Sequence, residues 1–193
     1  MGDDLKLGIQ LGYWTAHPPD PDWMVEGWTM TTTYEITTMT LSGVCTAVVR
    51  GEMNARELPF WLADTYRKVY GYLQSTGRAP TGPPFARFTF LGEQVAVEAG
   101  FPVAGELDGA GSVVSSTLPA GPAAVTTHYG RYEGLERAYD AVRAWLVEHG
   151  REPAGPHWEI YFTDPNSEPD STRWRTDVVV PFRITPPPAR LHA

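Results

Sequence analysis

Cysteine is almost absent from this chain. The single thiol, Cys45, excludes an internal disulfide and any cysteine-built metal site, and it sits among apolar strand residues as a core side chain does. The five histidines, His17, His128, His149, His157 and His192, show no metal-ligand spacing, so no metal is expected. No apolar run approaches the roughly 20 residues of a membrane span, so no membrane partner is expected. No amino-terminal segment joins a basic flank to an apolar run as a signal peptide does, and the cytoplasm is the expected compartment. Basic residues are in the minority, with 15 Lys and Arg against 23 Asp and Glu and a formal net charge of −8. Sequence-independent DNA binding needs clustered Lys and Arg to displace counterions, so direct DNA binding is not expected either.

What is present is an ordinary globular composition, 42% hydrophobic over 193 residues, with 12% aromatics and seven tryptophans. Aromatics build cores, and they also build sites for flat hydrophobic ligands. The chain repeats itself. Gly77 to Phe85 reads GRAPTGPPF and Gly150 to Trp158 reads GREPAGPHW, an offset of 73. At the same offset Leu62, Tyr66, Val69 and Leu73 fall on Leu135, Tyr139, Val142 and Leu146, an apolar stripe at helical spacing in both copies. Gly77 and Gly150 stand where a helix C-cap glycine belongs.

Strand-like stretches precede the helices at Val44 to Arg50 and Ala124 to Tyr129, before Gly51 and Gly130. Two more follow each helix: Phe85 to Phe90 and Gln94 to Ala99, then His157 to Thr163 and Arg173 to Val180. A lead strand can precede each copy, at Tyr34 to Leu41 and Gly111 to Leu118. The pattern predicts an α+β fold of two pseudo-symmetric β-α-β-β repeats, about 34–103 and 111–184 within a domain 30–184. Both helices should lie on one face of a mostly antiparallel sheet. The tail 185–193 is expected to be disordered. Residues 1–29 stand outside the repeat as an extension that could pair with a neighbour in a homo-oligomer or close over a cleft. Their LKLGIQLGYW resembles the first barrel strand of luciferase-like flavin oxidoreductases, but no barrel follows and no cofactor is implied.

Glu159 interrupts a run that otherwise reads as buried sheet. Alternation puts His157, Glu159, Tyr161 and Thr163 on one face and Trp158, Ile160 and Phe162 on the other. The Trp158 face is expected under the helices, leaving Glu159 on an open face with Tyr161, Phe88 and Phe90. An acid on one strand face can simply meet water. Yet Ala86 holds the matching position in the first repeat while the scaffold around both is kept, and a carboxylate in one half only suggests a site. Framed by rings, it could hold an organic cation or act as an acid or base with an elevated pKa.

The repeat, the HWEIYFTDP strand and the closing RTDVVVPF resemble GyrI-like proteins, the effector-binding domain of AraC-type and BmrR-type regulators. The quoted residues are Glu159, Tyr161, Thr163-Asp164-Pro165 and Asp177 before Val178 to Pro181, with Phe182 where the family has Val. The resemblance covers about Met30 to Ile184. It implies two β-α-β-β units around a hydrophobic cleft that takes lipophilic, often cationic, small molecules, with the acid at position 159 as the charged anchor. No DNA-binding helix-turn-helix fits before residue 30, which departs from a complete regulator. In that reading Glu159, Tyr161, Phe88, Phe90, Trp61, Trp145 and His157 bind ligand. Some stand-alone family members are hydrolases of cyclopropane-bearing natural products. The second reading is therefore catalytic, with Glu159 or Tyr161 polarising the leaving side and Asp177, or Glu98, positioning water. Whether Asp177 shares the cleft with Glu159 discriminates the two. A gyrase-inhibitor-like protein interaction stands third.

Overall fold

The two helical stripes and the alternating stretches between them fold in the expected order. The computed structural model describes residues 33–92, 94–163 and 168–184. The expectations for residues 1–29, for Asp164-Pro165 and for the tail 185–193 lie outside these residues. The elements are β1 (Thr37–Leu41), β2 (Val44–Asn54), α1 (Leu58–Ser75), β3 (Phe85–Leu91), β4 (Gln94–Pro102), β5 (Val114–Leu118), β6 (Gly121–Tyr129), α2 (Leu135–Glu148), β7 (Arg151–Pro153), β8 (Trp158–Tyr161) and β9 (Arg175–Ile184). No described helix is long and apolar enough to cross a membrane.

Each helix buries the aliphatic residues of its predicted stripe, Leu62, Val69 and Leu73 on α1 and Leu135, Val142 and Leu146 on α2, with Leu58, Thr65 and Ala138 beside them, while Tyr66 and Tyr139 are partly buried. Helix α1 ends in a Schellman turn. Gly77 takes φ 67°, its N–H donates to the Gln74 carbonyl at 3.1 Å, and Arg78 N–H donates to the Leu73 carbonyl at 2.9 Å.

All strand pairs are antiparallel, in the order β1-β6-β9-β8-β3-β4-β2-β5, with β7 added beside β9. That order reads symmetrically about the β8–β3 contact, where Ala86 pairs directly with Glu159. The lead strands are exchanged. β1 pairs with β6 of the second repeat, and β5 pairs with β2 of the first. Only Ser42-Gly43 joins β1 to β2, and only Pro119-Ala120 joins β5 to β6. Three peptide steps reach at most about 11 Å. The two ends of the sheet are thus drawn together and the sheet curls.

Helix α1 packs chiefly on β2 and β4, and α2 on β6, β7 and β9. The central strands β3 and β8 form the floor between them. The side-chain faces are the reverse of the expectation. Ala86, Phe88, Tyr161, Val178 and Val180 join the helix stripes in one cluster, so the Glu159 face is the one under the helices. Trp158 packs with Val48, Phe85, Val125 and Val179 on the far face, with Ile160 against them. Phe162 lies half exposed beneath the Arg175 guanidinium, 4.0 Å from its ring centre. Alternation assigned the pairs of neighbours correctly, but both faces of this sheet are apolar and the period alone does not say which one the helices cover.

Two smaller differences have local causes. β2 runs on past Gly51 to Asn54 because a glycine there lets the strand pass under Trp61. A Cβ at residue 51 would stand 2.7 Å from the indole ring. β8 is shorter than expected, Trp158–Tyr161, while β7 forms from Arg151 to Pro153, a strand that was not expected.

Candidate functional site

β8 carries Glu159 into the middle of the floor between the helices, only 2% exposed. Both carboxylate oxygens accept phenolic protons. Tyr139, from α2, donates to Oε1 at 2.5 Å, and Tyr161, from β8 itself, donates to Oε2 at 2.7 Å. Among the described residues Glu159 makes no ion pair. Burial raises its pKa above the ordinary carboxyl value, and the two tyrosine hydrogen bonds offset part of that rise. Burial first, and then the neighbouring carboxylate charge, hold the Tyr66, Tyr139 and Tyr161 hydroxyls well above their ordinary value, so all three stay protonated.

Rings close over the carboxylate from both helices. Tyr161 meets Tyr132 edge-on at 5.8 Å and Tyr66 edge-on at 6.3 Å. On the other side, Tyr139 meets the His157 ring edge-on at 4.8 Å. His157 in turn stacks on Phe90 at 5.9 Å and lies against Phe88 at 6.0 Å. These last three residues open onto a cavity of about 270 Å³, completed by Thr89, Pro153, Gly155, Pro156 and Val180. Burial depresses the His157 pKa to about 4, so the imidazole is neutral at physiological pH.

The structure brings Glu159, Tyr161, Phe88, Phe90 and His157 together. It does not bring Asp177 to them. Asp177 pairs with Ile160 in register and so points to the far face, where it accepts from Thr127 at 2.8 Å and pairs with Arg175. Glu98 is on the far face as well, bound by Arg50 at 2.8 Å and Arg87 at 2.6 Å. The expected second carboxylate of the cleft is therefore absent from the Glu159 face for Asp177 and Glu98 alike. Trp61 is a partly buried wall residue of α1 lying on Gly51. Trp145 packs on His149 and Phe182. Among the described residues no three His, Cys, Asp or Glu side chains converge as a metal-binding group.

Tyr139, Tyr66 and Tyr132 complete the site, and sequence reading passed over them. Tyr66 and Tyr139 were counted as members of the helix stripes. Their signal was the hydroxyl: a tyrosine on a buried stripe needs a hydrogen-bond partner, and Glu159 supplies one to Tyr139.

A family model for the GyrI-like small molecule binding domain matches residues 50–183. No curated protein sequence matches the chain. Among solved structures, the EcmrR C-terminal domain superposes with a TM-score of 0.67 at 17% identity, covering 79% of this chain and 99% of that one. A hydrolase from Listeria innocua gives 0.54 at 11% identity, over 77% and 92% of the two chains. SAV2435, solved bound to tetraphenylphosphonium, gives 0.54 at 12% identity, over 77% and 94%. At such identities the likeness is one of fold.

Proposed function

Since the chain belongs to the GyrI-like small-molecule-binding family, we propose that it binds lipophilic aromatic cations between its two helices, with Glu159 as the counter-charge. One observation carries this reading: a carboxylate 2% exposed, held by two tyrosine hydroxyls and facing no protein cation among the described residues. Burying an ionised carboxyl without a counter-ion costs several kcal/mol, which two charge-assisted hydrogen bonds offset in part. A delocalised organic cation would supply the missing charge, and the surrounding rings would add cation–π contact. SAV2435, of the same fold, was solved with a cation of that kind.

The cavity at His157, about 270 Å³, falls just under the roughly 300–1,000 Å³ of sites for drug-sized ligands. A ligand would enter there and displace Tyr139, whose ring stands between His157 and the carboxylate. Because rings and one charge constrain shape little, a range of cations would be accepted.

Two-acid hydrolysis is the less favoured reading, since neither Asp177 nor Glu98 faces Glu159. Titration with tetraphenylphosphonium and with rhodamine 6G, followed by tryptophan fluorescence, tests the proposal. Glu159→Gln should weaken both by about tenfold or more. Affinity should also rise with pH as Glu159 ionises above its raised pKa. Equal binding by wild type and variant would remove the carboxylate from the role of counter-charge.

A further inference from the structure

The pseudo-symmetry of the site leaves a tyrosine hydroxyl without a partner among the described residues. Tyr66 and Tyr139 occupy the same place in the two repeats, and so do Ala86 and Glu159, each pair at the offset of 73. Ala86 and Glu159 face each other across the β3–β8 contact. On the α2 side Tyr139 donates to the carboxylate. On the α1 side the strand position that matches Glu159 carries only the Ala86 methyl group. The Tyr66 oxygen is buried and has no hydrogen-bond partner among the described residues, and its ring is held edge-on by Tyr161 and by Phe101 at 5.8 Å. One strand over, on the same face, Thr176 pairs with Tyr161, is 1% exposed, and its hydroxyl is unpartnered as well. A buried hydroxyl without a partner is a liability that native cores avoid, and its persistence beside a binding site points to a ligand group that completes it.

We propose that the ligand of this site joins a positive charge to a hydrogen-bond acceptor, the charge lying at Glu159 and the acceptor at the Tyr66 hydroxyl, over Ala86. Tyr66 is then a specificity-determining donor, and the acceptor supplies what a second carboxylate at position 86 would have supplied. The complementary ligand group is an acceptor, such as a carbonyl or ether oxygen, because burial first and then the Glu159 charge keep the Tyr66 hydroxyl protonated and its O–H has no acceptor among the described residues. Carbonyl-bearing aromatic cations are the predicted class, preferred over hydrocarbon cations of the same size. This rests on the cation reading above, and the test separates the two.

Isothermal titration of the full chain with tetraphenylphosphonium and with its 4-acetylphenyl analogue reads the preference directly. Wild type should bind the acetyl analogue about five- to tenfold more tightly, the range of one buried hydrogen bond. In Tyr66→Phe the two should bind alike. The ligand-free variant should melt at or above wild type, because it loses an unpaired hydroxyl and keeps the ring. A preference that persists in Tyr66→Phe, no preference in wild type, or a variant that melts lower and binds both equally weakly would each overturn the proposal. If wild type binds neither cation, the cation reading fails, and triphenylphosphine oxide, neutral with a strong acceptor, decides Tyr66 alone. Weaker binding by Tyr66→Phe than by wild type would uphold the donor role. Equal or absent binding would overturn it.

Discussion

At His157 and Glu159, two residues apart on one strand face, burial acts on groups of opposite charge type. His157 binds its proton at about 4 in the folded chain, against an ordinary value of 6.5. Between those values the unfolded chain holds more protons, so stability falls as pH drops through the window. Glu159 works in the other direction. Its folded pKa is raised above 4.5, so acid relieves the buried charge and stability rises as pH falls through that raised value. Tyr139, Phe88 and Phe90 face His157 and carry no charge that would moderate its titration in this window. In urea unfolding at pH 7 and pH 5, His157→Gln should therefore gain about 2 kcal/mol on wild type at the lower pH. Parallel profiles for the two proteins would show that His157 takes up its proton in the fold as readily as in the unfolded chain. Glu159→Gln should be more stable than wild type at pH 8, with the advantage gone below 4.5. The choice of Glu159 as a site residue was legible from one asymmetry, Glu against Ala at matched positions. Its partners were not, because a tyrosine in a helical stripe looks the same whether its hydroxyl meets water or a carboxylate.

At the scale of elements, close approach decides which residues the sheet tolerates. β4 crosses β2 with Gly100 opposite Val48, and a Cβ there would stand 1.9 Å from the Ala47 carbonyl oxygen. Backbone cannot swing aside as a flexible side chain can. Gly100→Ala should cost about 3 kcal/mol in chemical denaturation, and a loss near zero would mean that the two strands separate easily. The strands and helices themselves were readable from period and caps, since each stripe and each C-cap glycine states its element locally. β7 escaped notice because three residues carry no period, and it forms only because β9 offers an edge to pair with.

For the molecule as a whole, the exchange of lead strands binds the two repeats into one unit. β1 completes the second repeat and β5 the first, so neither half contains its own edge strand. Expressed separately, residues 33–110 and 111–184 should each fail to show a cooperative thermal transition. A sharp melt from either half alone would show that the repeats are independent domains. The exchange also holds the curl, through two links of two residues each, and the curl leaves β3 and β8 as the floor between the helices.

Sequence by itself determined the α+β class and the two helices, and it singled out Glu159 as the candidate carboxylate of a site. Those properties follow from local period, caps and the comparison of two copies of the same pattern. Only the tertiary structure decided which face of the sheet the helices cover, and with it the company each acid keeps. Both faces of the central strands are apolar, so alternation groups side chains without orienting them. Packing put Glu159 inward among tyrosines from both helices and left Asp177 with Arg175 on the far side. It also left the Tyr66 hydroxyl without a partner among the described residues, because the strand position its twin uses for an acid carries a methyl group here.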